Sequence, residues 1–421
     1  MTMKRLPGFK AFLLLAITLF PATPCVADFV VRELGQEEGK PERFFVPYGF
    51  SSEAMGLVAG VAGGISGLPQ QQNSFFTTAL VSDEGATAVY AFFNDYQFSQ
   101  IPRLFLDAAV GLGEFPQQRA YLDTSPPLNK PPAGSNDSSA DDFFRTDGFS
   151  NWIELDFKYV FDIGHGRYTP INTYTLSNGL LVGGASGGGV FNPFKSGRSY
   201  LQTKLFYQDR DYDTVDPSIL LKTSGIGLSF KYDNTDFQVN PSTGSVLEIG
   251  IKHDPGTGGN ENWTVGELEY SQYFKLTPGA KVEQSVIAID FWTAHNFGAD
   301  SSPYYVGPTL GGLYRLRAYP IERFHDRSAI YYSAEYRVIP ESDLLRSLSF
   351  LDFANLQWWS LATFIEYGRV APQWNIKELH KSMKHDVGLS MRVMAAQDIA
   401  RLDVVWSADD TAAWLMYGHP F

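Results

Sequence analysis

Long apolar runs are absent from this sequence beyond its first 27 residues. The best candidate, residues 55–68, is short and contains five glycines, whereas a helix needs about 20 consecutive apolar residues to cross a bilayer. A helical membrane span is therefore excluded. Because backbone groups inside lipid must be paired within the protein, a membrane protein of this sequence would have to be a closed β-barrel.

Cysteine is almost absent as well. The single cysteine, Cys25, lies within the predicted export signal. The mature chain would then contain no cysteine, which excludes thiol catalysis and a cysteine-ligated metal. The alternative is a lipoprotein in which the thiol of Cys25 is acylated, and Pro24 directly before it argues against this.

Cationic patches and ligand-binding motifs are also lacking. The 46 acidic residues outnumber the 33 basic ones, which argues against nucleic acid as a partner. The seven histidines are scattered, and even His380 and His385 are five positions apart, so they do not share one helical face. No phosphate-cradling loop is present. We therefore predict no metal and no cofactor.

The first 27 residues have the layout of an export signal. Three basic residues precede the apolar run 11–20, and small residues lead to a predicted cleavage site after Ala27. A separately folded domain usually needs at least about 50 residues, so we expect residues 28–54 to be a short periplasmic or lumenal tail. The transmembrane β-barrel is assigned to residues 55–421.

Strict alternation of apolar and polar residues is the strongest pattern in the sequence. In residues 153–159 the odd positions are apolar or aromatic and the even positions are charged, which is typical of a half-buried strand. The same split recurs in residues 228–233, 247–252 and 330–338. Alternation alone also fits a soluble sandwich of two sheets. The export signal and a last strand that ends in Phe421, typical of outer-membrane barrels, favour the barrel.

Strand counting predicts an all-β transmembrane barrel of about sixteen antiparallel strands, an even number as in single-chain bacterial barrels. The strands are predicted near residues 55–66, 73–82, 86–94, 104–113, 151–160, 179–186, 199–210, 221–233, 244–254, 263–275, 281–294, 328–338, 358–370, 386–394, 399–407 and 411–421. The Pro- and Ser-rich stretch 114–150 reads as a mobile connection. The count places it on the periplasmic side, although long links are usually extracellular.

One stretch is more specific. Residues 311–319, followed by residues 333–337, resemble the bacterial surface antigen family, the outer-membrane assembly superfamily typified by BamA and TamA. The family carries a Val-Arg-Gly-Tyr or Val-Arg-Gly-Phe motif in its sixth extracellular loop. That motif is occupied here by Leu316, Arg317, Ala318 and Tyr319. Two of the four positions depart from it, and Ala318 replaces the usual glycine.

Three further segments are similar to the family's pattern and occur in its order, namely residues 240–244, 364–370 and 401–403. The resemblance covers most of residues 225–421 well and the part before it more loosely. The family's periplasmic repeat domains are not found in this sequence.

The resemblance implies that this loop folds into the barrel. Glu335 lies on the polar face of its predicted strand, and Glu366 shares a face with small residues, so both carboxylates are expected to point into the lumen. Arg317 would then pair with one or both of them. The alternative is a solvated loop arginine.

Glycines crowd the first predicted strand, at Gly56, Gly60, Gly63 and Gly64. Glycine contributes no side-chain packing inside a strand, so the barrel seam between this strand and the last one, ending at Phe421, is predicted to pair weakly. An opened edge would template an incoming strand. The alternative is that the glycines merely relieve curvature.

The function implied by the resemblance is insertion, translocation or surface display of polypeptides at the bacterial outer membrane, without enzymatic activity. The implied partners are outer-membrane lipid, a polypeptide client and the barrel-assembly machinery, which would read the C-terminal strand. The rival is a passive pore or a structural outer-membrane protein. A remote alternative is a lipase or esterase, because residues 184–188 match the Gly-x-Ser-x-Gly nucleophile pattern around Ser186, but no helix is predicted after it and a glycine-rich loop fits better.

Overall fold

The computed structural model of the protein is almost entirely β-structure. It describes residues 29–35, 41–52, 55–122, 130–212, 222–257, 260–298, 302–341, 356–395 and 398–421. The export signal, its cleavage site and Cys25 lie outside these residues. No helix within the described ranges has the length and apolar character needed to cross a membrane.

The strands of the described chain are numbered in order. They are β1 (Phe29–Glu33), β2 (Glu42–Ser52), β3 (Gly56–Ser66), β4 (Ser74–Ser82), β5 (Thr87–Gln97), β6 (Leu104–Ala120), β7 (Phe144–Val160), β8 (Asn172–Ser177), β9 (Leu180–Gly183), β10 (Arg198–Tyr212), β11 (Lys222–Asp233), β12 (Gly244–Pro255), β13 (Asn262–Leu276), β14 (Val282–Asn296), β15 (Thr309–Leu310), β16 (Phe324–His325), β17 (Ser328–Pro340), β18 (Leu356–Ala371), β19 (Lys384–Ala395), β20 (Asp398–Trp406) and β21 (Thr411–Tyr417). A 3₁₀ turn (Gly164–Arg167) and one helical turn, α1 (Ile376–Leu379), complete the described elements.

Sixteen of these strands form one sheet in sequential order, from β2 to β21, with β1, β8, β9, β15 and β16 outside it. Neighbouring strands are antiparallel throughout, as in the β10 and β11 ladder from Arg198 to Asp209. The predicted all-β architecture with about sixteen antiparallel strands is therefore confirmed. The sheet is not closed, because β2 and β21 are its two edges and no ladder joins them among the described residues.

The predicted number of strands agrees with the structure only because two errors cancel. Glu42–Ser52 is the first strand of the sheet, whereas the sequence analysis put residues 28–54 in a tail. Its alternation is blurred by adjacent phenylalanines and by Pro47, a residue that an edge strand tolerates. Conversely, the predicted strand 179–186 contributes only Leu180–Gly183, to a separate small sheet.

The corrected order also moves the stretch 114–150. With β2 as the first strand, the link between β6 and β7 lies at the same end of the sheet as the link between β14 and β17. The two links touch, since the backbone N–H of His325 donates to the carbonyl of Gly134 over 2.8 Å. The count had placed this stretch at the opposite end of the sheet from the link between β14 and β17, because the missed strand shifted the count by one.

The large sheet has an apolar face and a charged face, as the alternation predicts. Along β7, Ile153 and Tyr159 are exposed on one face, whereas Asp156 and Lys158 are buried on the other. Exposed apolar side chains continue around the sheet, for example Leu205, Ile226, Ile249 and Leu389. One surface thus offers hydrocarbon-like side chains, and the opposite surface encloses charges.

A small three-stranded sheet covers the end of the interior that faces away from the link between β14 and β17. In it, β1 pairs in parallel with β8, which pairs with β9. The turn between β8 and β9 packs on β18, where the indole N–H of Trp358 donates to the carbonyl of Gly179 over 3.0 Å. On the other flank, the ring of Tyr174 packs on Phe237. We call residues 172–183 the end hairpin.

Candidate functional site in the sheet interior

The link between β14 and β17 folds back against the concave face of the sheet; we call residues 302–327 the inward loop. Two consecutive glycines make its sharp turn, with a φ of +108° at both Gly311 and Gly312. A Cβ at Gly311 would lie 2.3 Å from the carbonyl oxygen of Pro320, so no larger residue fits there. Hydrogen bonds from Gly311 N–H to the Arg315 carbonyl and from Gly312 N–H to the Tyr319 carbonyl close the loop on itself.

Arg317 is the centre of the site, and it is completely buried. Its Nη2 donates to Oε1 of Glu335 over 3.0 Å, and its Nε donates to Oε1 of Glu366 over 2.9 Å. Its Nη1 donates to Oδ2 of Asp403 over 2.8 Å. One guanidinium thus joins carboxylates from β17, β18 and β20. Both predicted partners contact Arg317, and Asp403 is a third that the sequence analysis did not assign.

The electrostatics of this contact favour a permanently charged arginine. Burial alone would lower the pKa of Arg317, but the carboxylates of Glu366, Asp403 and Glu335 raise it well above its ordinary value. The ring of Phe364 lies below the guanidinium, with 3.5 Å from Cζ to the ring centroid, and adds a cation–π contact. The side chain is therefore held by charge, hydrogen bonding and stacking together.

The backbone of the motif is fixed as well as its side chain. The N–H of Arg317 donates to Oε2 of Glu366 over 2.7 Å, and the N–H of Ala318 donates to Oδ2 of Asp386 over 2.9 Å. The indole of Trp414 on β21 donates to the Arg317 carbonyl over 2.6 Å. These contacts add β19 and the edge strand β21 to the set of strands that hold the loop.

The other three residues of the motif fill apolar space. Leu316, Ala318 and Tyr319 are buried in one cluster with Leu310 and Phe324. Leu316 has a φ of +53°, a strained conformation that is accepted because its buried side chain fixes the turn. Ala318 occupies the position of the family's glycine, and its methyl group is fully buried.

Three more arginines extend the cluster below Arg317, and the sequence analysis missed all of them. Arg337 and Arg392 both donate to Oε2 of Glu335 over 2.8 Å, and Arg401 donates to Oδ2 of Asp403 over 2.7 Å. The four arginines face Glu335, Glu366, Asp386 and Asp403. The available signal was their placement on polar positions of alternating strands, with Arg337 and Arg401 each two positions from an acidic residue.

A second set of ion pairs ties the inward loop to the opposite part of the sheet. Arg315 donates to Glu269 on β13 over 2.8 Å. Arg210 on β10 makes a two-pronged contact with Glu322, with both N–O distances at 2.7 Å. The loop therefore bridges β10 and β13 on one flank and β17 to β21 on the other, and it fills the space between them.

The link between β6 and β7 packs on the same loop. Arg323 donates to Oγ of Ser138 over 2.9 Å and to its carbonyl over 2.8 Å. Nε2 of His325 lies 2.7 Å from the carbonyl of Tyr121. This link therefore covers the inward loop from its outer side.

The glycines assigned to the seam lie elsewhere. Gly56, Gly60, Gly63 and Gly64 belong to β3, which pairs with β2 on one side and β4 on the other, so the edge of the sheet is one strand earlier than predicted. A Cβ at Gly60 would lie 2.3 Å from Cζ of Tyr48. This glycine makes room for the ring of its neighbour.

Phe421 is also absent from the edge. The last strand ends at Tyr417, and Gly418 turns the chain with a φ of +75°. The ring of Phe421 lies in the interior and stacks on Tyr273 with 6.5 Å between centroids. The predicted continuous strand to Phe421 was therefore wrong, because the turn at Gly418 interrupts the alternation.

Ser186 of the glycine-rich stretch contacts no general base among the residues that the structure describes. It is buried, its hydroxyl lies 2.8 Å from the hydroxyl of Tyr174, and it donates to the carbonyl of Thr235 over 3.4 Å. Neither partner is a general base, so these contacts fit a structural hydroxyl that anchors the end hairpin.

Comparison with known proteins shows which family and which folds this chain resembles. The model of the Omp85 superfamily domain matches residues 194–412. No curated protein matches the sequence. Among solved structures, CdiB from Acinetobacter baumannii is similar with a TM-score of 0.51 and 11% identity, over 89% of this chain and 59% of that one. BamA from Haemophilus ducreyi lacking POTRA domains 1–3 has a TM-score of 0.49 and 12% identity, over 90% of this chain and 70% of that one. The chain thus spans less than two thirds of CdiB, and these likenesses concern the fold.

Proposed function

The chain belongs to the Omp85 superfamily, and from that premise we propose that it guides the insertion of β-strand polypeptides into the bacterial outer membrane. The observation that carries this proposal is the unclosed sheet, in which β2 and β21 are edges without a ladder between them in the described residues. Edge strands offer unpaired N–H and C=O groups to an incoming strand. The reaction is non-covalent: hydrogen bonds with water are exchanged for hydrogen bonds with a template.

The filled interior favours edge templating over passage through the lumen. The inward loop occupies one part of the interior, and the end hairpin covers the other end. A polypeptide or solute that crossed the lumen would have to displace both, including the buried ion pairs of Arg317. Translocation, surface display and a passive pore therefore need a change that edge insertion does not need.

The apolar outer face supports the membrane location. Exposed aliphatic and aromatic residues surround the sheet, such as Leu201, Phe230, Ile287 and Leu361, and burying them in lipid contributes about 25 cal/mol per Å². Lipid is thus a proposed partner. Recognition of the last strand by a barrel-assembly machinery, and removal of the export signal after Ala27, stay predictions.

Cysteine crosslinking across the open edge tests the proposal. Outward-facing cysteines are placed on β2, at Phe45 or Pro47, and on β21, at Ala413 or Leu415, in cells that depend on this protein. A disulfide that joins the edges is expected to reduce the amount of β-barrel proteins in the outer membrane at least several-fold, and reducing agent is expected to restore it.

The matched control places the same crosslink inside the sheet. Leu205 and Ile226 are directly paired on β10 and β11, and both face outward. A disulfide there leaves the edges open and is expected to change nothing. If the edge disulfide forms in full and the outer-membrane protein census is unchanged, edge templating is not the function.

A further inference from the structure

The link between β18 and β19 folds over the apolar outer face of the sheet; we call residues 372–383 the outer loop. Its one helical turn, α1, buries Leu379 in a cluster with Ile330 and Tyr332. Both partners point away from the interior, because they alternate along β17 with the interior residue Glu335. The outer loop therefore packs on the surface that is proposed to face lipid, at the end of the sheet that carries the inward loop.

Two side-chain contacts hold the outer loop on two strands of the sheet. The indole N–H of Trp374 donates to Oγ1 of Thr293 on β14 over 2.9 Å. Nε2 of His380 lies 2.9 Å from the hydroxyl of Tyr332 on β17. Nδ1 of the same imidazole lies 2.7 Å from the carbonyl of Ile376, and it carries a proton because a carbonyl can only accept. The outer loop is therefore a fixed part of the outer wall.

The outer loop leaves two large apolar side chains uncovered. Trp374 is 60% exposed, and Ile376 is 78% exposed. Tyr367, near the end of β18 from which the loop starts, is exposed on the same outer face. Tryptophan and tyrosine concentrate where hydrocarbon meets lipid headgroups, because their rings are apolar and their N–H or O–H groups are polar. The exposed part of the loop therefore continues the lipid-facing surface to its polar boundary.

The same loop carries a surplus of positive charge. Lys377 and Lys381 are exposed, and Glu378 is the only acidic residue of the outer loop. The next lysine, Lys384, is paired with Asp409 over 3.3 Å. Among the described residues, no carboxylate pairs with Lys377 or Lys381. Lysine lays its stem along apolar surface and keeps its ammonium group at the polar boundary. Two uncompensated ammonium groups at that boundary match an anionic phosphate headgroup.

We propose that the exposed side chains of the outer loop form a binding site for a membrane lipid with an anionic phosphate headgroup. Trp374 and Ile376 contact its acyl chains, and Lys377 and Lys381 hold its phosphate. The inference rests on the membrane location in the proposed function and deepens it by naming the class of lipid partner. A lipid bound here braces the wall around the inward loop, because the outer loop joins β17 and β18, which hold two of the carboxylates that contact Arg317.

Quenching by brominated lipid tests the apolar half of the site. The purified protein is embedded in phosphatidylcholine nanodiscs with or without bromine on the acyl chains. The emission of Trp374 is the difference between the wild type and Trp374→Phe. Bromine is expected to quench at least half of this emission, because the indole would touch the chains. The matched control is Trp263, which is buried in the interior, and the difference between the wild type and Trp263→Phe should be quenched far less.

Lipid affinity in detergent micelles tests the charged half of the site. Energy transfer from tryptophan to a lipid with a dansyl-labelled acyl chain measures binding. Lys377→Gln/Lys381→Gln is expected to bind phosphatidylglycerol at least fivefold more weakly than the wild type and phosphatidylcholine equally well, because only phosphatidylglycerol carries a net negative charge. Lys377→Arg/Lys381→Arg keeps both charges and should keep the preference. Lys222→Gln, which removes a lysine that is paired with Asp209 at the same end of the sheet, is the control and should change neither affinity.

Three results would overturn the inference. Absence of quenching at Trp374 would show that the outer loop does not touch lipid, and a dimer in sedimentation would then assign this surface to a second copy of the chain. An equal loss of affinity for both lipids would remove the role of the lysines. Displacement of phosphatidylglycerol by excess inorganic phosphate would assign the lysines to a soluble anion. Circular dichroism melting verifies that each variant is folded. These measurements need no client, so they can fail while the crosslinking test of edge insertion succeeds, and the reverse.

Discussion

At the residue scale, the inward loop depends on one side chain. Arg317 contacts carboxylates of three strands, and all four side chains are fully buried. Removing one member of a buried charge cluster leaves the others desolvated and uncompensated, which costs about 3–5 kcal/mol. An exposed ion pair contributes about 0–1 kcal/mol. The two cases differ enough to be separated by measurement.

Arg317→Ala is therefore expected to release the inward loop from Glu335, Glu366 and Asp403. Limited proteolysis in detergent should show faster cleavage between residues 302 and 327, and the free energy of unfolding should fall by about 3–5 kcal/mol. Lys222→Ala, which removes a surface pair with Asp209, is the control and should change neither. Unaltered protection of the loop would contradict the assigned role of Arg317.

At the element scale, the edge strand β2 depends on its neighbour β3. The ring of Tyr48 lies over Gly60, and its hydroxyl pairs with Thr78 on β4 over 2.7 Å. The glycine is therefore a packing partner of the ring. For Gly60, the contact with Tyr48 supports neither the predicted weakly paired seam nor simple curvature relief. The pairing of β2 with β3 should therefore be sensitive to a single added methyl group.

Gly60→Ala is expected to displace the Tyr48 ring and destabilise the protein by about 1–3 kcal/mol, as overpacking usually does. Tyr48→Ala combined with Gly60→Ala should cost less than the sum of the two single changes, because the clash is then gone. Denaturant unfolding in detergent measures all three variants. Gly183→Ala, where a Cβ meets only Thr175 at 3.6 Å, is the control. Strict additivity of the Tyr48 and Gly60 changes would refute the contact.

At the scale of the whole molecule, two obstructions lie in series along the interior. The inward loop is held by Arg317, and the end hairpin is held against β18 at Gly179. Gly179 has a φ of +75°, and a Cβ there would lie 2.8 Å from both Gln357 and Trp358. Each obstruction can therefore be removed by a change at one residue, and each alone leaves the other in place.

Conductance across planar bilayers follows from this arrangement. The wild type is expected to conduct weakly, and Arg317→Ala or Gly179→Val alone should raise conductance only modestly. The double variant should exceed the sum of the two increases, because flow along one path is limited by its narrowest remaining obstruction. Large, steady conductance of the wild type would instead support the pore.

The local pattern of the chain determined the two faces of the sheet and the inward motif at Leu316 to Tyr319. Side chains alternate with a period of two in any strand, so Ile153 and Lys158 could be assigned to opposite faces without a structure. Glu335 and Glu366 could be assigned inward by the same argument. The loop itself was identified from the glycines before Arg317 together with the family motif.

Only the tertiary structure decided which strands meet and what the interior charges contact. Alternation does not distinguish a strand of the large sheet, such as Glu42–Ser52, from a short one beside it, such as Leu180–Gly183, because both patterns are local. Asp403 is far from Arg317 in the sequence, and Arg337 is far from Phe421. Contacts between such residues form only once the sheet has curled. The sequence therefore determined what each strand presents, and folding determined what it is presented to.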